Sequence, residues 1–183
     1  MKLLLLLMTS IPQFVFAQGQ PIPTAIVASK DIGEFKSKEF TILAARGGAL
    51  GNFYFWAKIT GPTSRNIISN KNPIFKITTD EKTIKLISLV KFEFDLAEHY
   101  RFVYYDSKDY RYPTKEGRMA MVTKQIAADT WEVTPDGWLS QGEYALCILS
   151  QWAQPPKTRE DPSGDIAILE QKGLKAWDFA VDY

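Results

Sequence analysis

Residues 83–94 read TIKLISLVKFEF. Ile84, Leu86, Val90, Phe92 and Phe94 fall on one side of an extended chain, broken only by Ser88. Lys85, Lys91 and Glu93 fall on the other, with Ile87 and Leu89 between them. A period of two marks a half-buried strand, and the apolar middle predicts cover on both faces there. Downstream, Asp95 to His99 supplies a hairpin connection and Arg101 to Tyr105 the returning strand. Upstream, Asp80, Glu81 and Lys82 form a turn, preceded by the run Ile74 to Thr78 that Pro73 opens. Asn70 to Asn72 is a turn, and Thr63 to Ile68 reads as a short polar strand.

Further out, NFYFWAKI at 52–59 holds four consecutive aromatics. In a strand Phe53 and Phe55 face one way, Tyr54 and Trp56 the other, so both sides need cover. Gly61 and Pro62 end this strand. Ala25 to Ala28 and Phe40 to Ala45 are shorter apolar runs. Met119 to Thr123, Thr130 to Thr134 and Glu143 to Trp152 read as strands. Residues 106–118 and 153–165 read as long loops. Ile166 to Lys172 fits a short helix, because Ile166 and Leu169 would share a face. Ala176 to Asp182 alternates Trp177, Phe179 and Val181 against Asp178, Ala180 and Asp182, a closing strand with the first set in the core.

About ten short strands, frequent turn signals and little helix predict an all-β fold. An antiparallel β-sandwich, Ig-like or jelly-roll-like, buries one apolar face of each sheet, and a barrel is the next solution. The chain has 183 residues, 45% of them hydrophobic and 23% charged, which suits a globular domain and excludes collagen, coiled coil and wholesale disorder.

Residues 1–17 are set apart. Lys2 gives a positive start, Leu3 to Leu7 and Met8 begin an apolar stretch, and Val15 and Ala17 put small side chains before a cut ahead of Gln18. That is a signal peptide pattern, too short for the roughly 20 apolar residues of a spanning helix. Export to the periplasm or cell exterior follows. Residues 18–24 (QGQPIPT) read as an extended leader and 25–183 as a single sandwich domain. No integral membrane segment is expected after cleavage. Losing Lys2 balances the charges at 21 of each sign, which offers nucleic acid no global field.

Three stretches resemble a family of secreted bacterial β-sandwich proteins of uncharacterised function. The first is Gly61, Ser64 and Arg65 followed by Asn72, Pro73 and Phe75. The second is the alternating strand with Arg101 opening its return. The third is Gly142, Glu143, Tyr144, Ala145 and Leu146, then Phe179, Val181 and Asp182, with Ala180 where the resemblance leads one to expect Gly. It spans most of residues 50–183, implies the sandwich fold and carries no catalytic residue to transfer.

Chemistry is sparse. His99 is the single histidine and lies in a hairpin connection, so no nucleophile–base arrangement is indicated. Cys147 is the single cysteine, forms no intrachain disulfide and sits in an apolar run as a small hydrophobe. No metal site, cofactor motif or catalytic residue emerges. The aromatics stand out, with five tryptophans among them. Trp138 lies in the turn TPDGWLSQG, Trp152 opens the second long loop, and Tyr105, Tyr110 and Tyr112 lie on or beside the first. These five are the candidate ligand-binding residues. The expected function is a secreted, non-catalytic binding or assembly module with a protein partner. The alternatives are a carbohydrate-binding module using those loop aromatics and a carboxylate-based hydrolase or lyase.

Overall fold

The structure, a computed structural model, describes residues 22–27, 30–47, 52–97, 99–105, 114–148 and 169–183. In chain order the elements are β1 (Ile22–Val27), β2 (Lys30–Glu34), β3 (Lys38–Gly47), β4 (Asn52–Thr60), β5 (Ile67–Ile68), β6 (Ile74–Thr78), α1 (Glu81–Ile84), β7 (Ile87–Asp95), β8 (Tyr100–Tyr105), β9 (Arg118–Met119), β10 (Met121–Ala127), β11 (Thr130–Pro135), β12 (Gly142–Ile148) and β13 (Leu169–Val181). They form the expected all-β sandwich of two mostly antiparallel sheets. The five-stranded sheet runs β10-β11-β6-β1-β2, and the eight-stranded sheet runs β12-β13-β3-β4-β8-β7-β9 with β5 added to β13.

The larger sheet closes on itself. β12 pairs with β13 on one edge and, from Glu143↔Phe92 to Ile148↔Ile87, with β7 on the other. Six strands therefore form a ring: β7, β8, β4, β3, β13 and β12. Closure satisfies ladder groups that an open sheet would leave at its edges.

The ring has two apolar environments. Its outer face toward the smaller sheet presents Ile87, Leu89, Tyr144, Leu146, Trp177, Phe179 and Val181, which pack against Phe75, Ile77 and Val133. Tyr144 stacks on Phe179 at 5.6 Å and Phe75 meets Phe179 at 4.9 Å. Strand alternation turns Ser88, Val90 and Phe92 of β7, and Ala145, Cys147, Ala176, Asp178 and Ala180 of β12 and β13, into the ring, where all are buried. A strand wedged between these two layers must be apolar on both faces at its centre, as expected for residues 87–92.

Three local expectations are corrected. The strand read from Thr83 begins instead at Ile87, because Asp80 caps a helical turn. Its carboxylate accepts from Thr83 N at 2.8 Å, and Ile84 N donates to Asp80 O at 3.1 Å. Ile84 then drops into the inter-sheet core, while Val90 and Phe92 point into the ring. Phe94, expected on the buried face, is 38% exposed. The helix read at 166–172 is a strand where described: Leu169, Glu170 and Gln171 pair with Ala44, Leu43 and Ile42. So short a helix is marginal alone, whereas a strand there satisfies the backbone groups of β3. Residues 166–168 lie outside the described residues.

Candidate functional site

Residues from each of the three motif stretches, Gly61 and Ser64, Arg101, and Glu143, meet at one mouth of the ring. Arg101 on β8 and Asp178 on β13 stand three strands apart in either direction around the ring, so their contact crosses it. Both are fully buried. Arg101 Nη1 donates to Glu143 Oε2 at 2.8 Å, its Nε donates to the Gly61 carbonyl at 3.1 Å, and its Nη2 lies 2.8 Å from Asp178 Oδ2. Lys38 Nζ reaches the same Asp178 oxygen at 3.0 Å from a more exposed position. The segment after β4 seals the mouth. Ser64 N donates to Glu143 Oε2, while Ser64 Oγ and Asn66 Nδ2 both donate to the Asp178 carbonyl. Gly61, at φ +98°, turns the chain into this seal.

Two acids and two bases make this knot formally neutral, which is what allows charge so deep in a sandwich. Asp178 Oδ1 nevertheless accepts from no donor among the described residues. Glu143 and Asp178 both face one guanidinium under a sealed loop, a positioning arrangement rather than two acids flanking an open cleft. The sequence carried a signal for it: Arg101 is the one charge in β8, and Asp178 interrupts the apolar run from Ala176 to Val181. Alternation puts Asp178 on the face opposite the core residues, and that face is itself buried.

Cys147 also faces the ring interior and is buried. Burial, and then the charge of Asp178, raise its thiol pKa far above the ordinary range, so it stays protonated. His99 is exposed with φ 54°, a hairpin position.

The surface candidate is Trp138, 80% exposed on the loop between β11 and β12. Its backbone is pinned on both sides. Asp136 N donates to Ala120 O and Leu139 N donates to Lys71 O, each at 2.8 Å, and the Leu139 side chain is buried in the core. Gly137, at φ +113°, makes the turn that lifts the indole outward. Lys71 Nζ sits 5.8 Å from the Trp138 ring centroid and 4.2 Å from that of Tyr183. Gln141 Nε2 donates to Tyr183 O at 2.6 Å and to Asp182 Oδ1 at 3.2 Å, tying the end of β13 to the loop. Lys71 and Tyr183 were not among the candidates, because residues 71, 138 and 183 meet only after three segments fold together.

Tyr105 lies at the end of β8, paired with Phe55 through its backbone. Trp152, Tyr110 and Tyr112 lie outside the described residues. Earlier on β8, Tyr100, Phe102 and Tyr104 line the outer face of the ring. Adjacent rings meet edge to face at 73° and 78°, so they do not form a flat stacking row.

Among the described residues, no group of three or more His, Cys, Asp or Glu side chains is placed to hold a metal ion. No helix there is long and apolar enough to cross a membrane. No family model matches the chain, and neither a curated protein nor a solved structure matches it.

Proposed function

We propose that this chain is an exported, non-catalytic module that binds a protein partner through the Trp138 loop, in keeping with the secreted β-sandwich family it resembles. The observation that carries this reading is an indole 80% exposed on a backbone held by hydrogen bonds on either side. Tryptophan is the side chain most enriched where interfaces concentrate their binding energy. A loop already fixed in the free protein loses little conformational freedom on binding. The deepest polar cluster supports a structural role, since each of its carboxylates faces Arg101 beneath the 61–66 segment.

The test is site-specific crosslinking in the cell that makes the protein. A photoreactive residue at position 138 should yield a discrete covalent adduct with another protein, and one at Thr123, exposed on β10, should not. Adducts equally strong at both positions, or retention by glycan arrays that depends on Trp138, would refute the reading.

A further inference from the structure

Lys71 sets the chemistry of the partner. Its ammonium lies against the faces of Tyr183 and Trp138, and no carboxylate pairs with it among the described residues. Asp182 adjoins Tyr183 but accepts from Gln141, and neither it nor Asp136 forms an ion pair with Lys71 among the described residues. Ring faces attract a cation through their quadrupole without neutralising it. The site therefore presents a lysine with no direct ion-pair partner among the described residues, beside a large apolar surface.

We infer that the Trp138 loop recognises an extended peptide segment carrying a carboxylate and an apolar side chain two positions apart, an inference that rests on the binding reading above. The spacing supplies the pattern. The ammonium and the indole centroid are 5.8 Å apart. Same-face side chains two positions apart on an extended chain are separated by about 6.7 Å. The carboxylate completes the lysine's hydrogen bonding, and the apolar side chain covers the indole. A neutral sugar ring stacked on the exposed indole would leave the lysine's charge without an anionic partner, whereas an acidic peptide meets both features. An anionic bilayer surface recruits clusters of about four to eight basic residues, and a single lysine falls far short of that.

Random dodecapeptides displayed on phage and panned against the purified chain test this directly. The wild-type chain should enrich Asp or Glu two positions from an aliphatic or aromatic residue. Lys71→Gln should lose the acid preference, keep the apolar one and bind the enriched peptides about tenfold more weakly. Trp138→Ala should enrich neither, with thermal melts of both variants unchanged. Apolar peptides that depend on Trp138 but lack acids would overturn the inference and leave the binding reading standing. Absence of any enrichment dependent on Trp138 would overturn both.

Discussion

Arg101 is the residue on which the interior of the ring depends. It is fully buried and joins β8 to β12 and β13 through Glu143 and Asp178. Replacing a whole buried ion cluster with apolar groups can be neutral, but removing one member strands the others. Arg101→Met should therefore destabilise the protein by about 3–5 kcal/mol in denaturant unfolding. Arg101→Lys should not restore it, because an ammonium cannot reach the Gly61 carbonyl, Glu143 and Asp178 with a planar fork. A loss below about 1 kcal/mol would show that the knot contributes little. Cys147 lies in the same interior with the opposite consequence. Its thiol is held protonated and out of solvent, so native protein should react with thiol reagents only as fast as it opens. Cys147→Ala should cost roughly 1 kcal/mol and leave binding intact. Labelling within seconds under native conditions would contradict the burial.

Among the elements, β13 bears the most. It pairs with β12 from Gly142↔Val181 to Cys147↔Ala176, with β3 along its first half, and with β5 at Ala180 and Val181. It sends Trp177, Phe179 and Val181 between the sheets and Asp178 into the ring. A chain ending at Lys175 loses two core aromatics worth about 3–5 kcal/mol each, and it opens the ring. Against a total stability of about 5–15 kcal/mol for a typical domain, it should be insoluble or melt without cooperativity. A cooperative melt within a few degrees of the full chain would reduce β13 to an appendage. The element scale also shows how legible the sequence was. The 176–182 alternation carried its inward residues correctly, because a period of two has one reading once one face is apolar. Alternation alone starts β7 too early, because Ile84 and Leu86 continue it through a helical turn. The Asp80 cap and Glu81 beside it, both signals of a helix start, outweighed that pattern.

For the molecule as a whole, the defining feature is a sandwich whose larger sheet closes into a ring with a charged knot at one mouth. The Trp138 loop is a separate feature, pinned to the 71 and 183 regions. The two should be independently separable. Trp138→Ala leaves the buried contacts intact and should not move the melting temperature, whereas Arg101→Met should lower it without altering the loop. The signal-peptide pattern of residues 1–17 makes one further prediction for the whole chain. The natively produced protein should begin at or near Gln18 on N-terminal sequencing, as the Lys2, leucine-run and Ala17 pattern implies. Intact Met1 in the soluble cytoplasmic fraction would end that claim.

Local pattern alone determined the all-β class, most strand positions, the core side of β13 and the turn that displays Trp138. Each follows from side-chain alternation or turn chemistry within a few residues, where the chain's geometry leaves few alternatives. Tertiary structure alone decided the closure of the ring, the burial of Asp178, the crossing of Arg101 to reach it, and the meeting of Lys71 with Trp138 and Tyr183. Those contacts join residues far apart in sequence, 77 positions in the case of Arg101 and Asp178. Alternation states which side of a strand a residue occupies. It cannot state what will be packed against that side, and a second buried face reads the same as a solvated one until the other strands are in place.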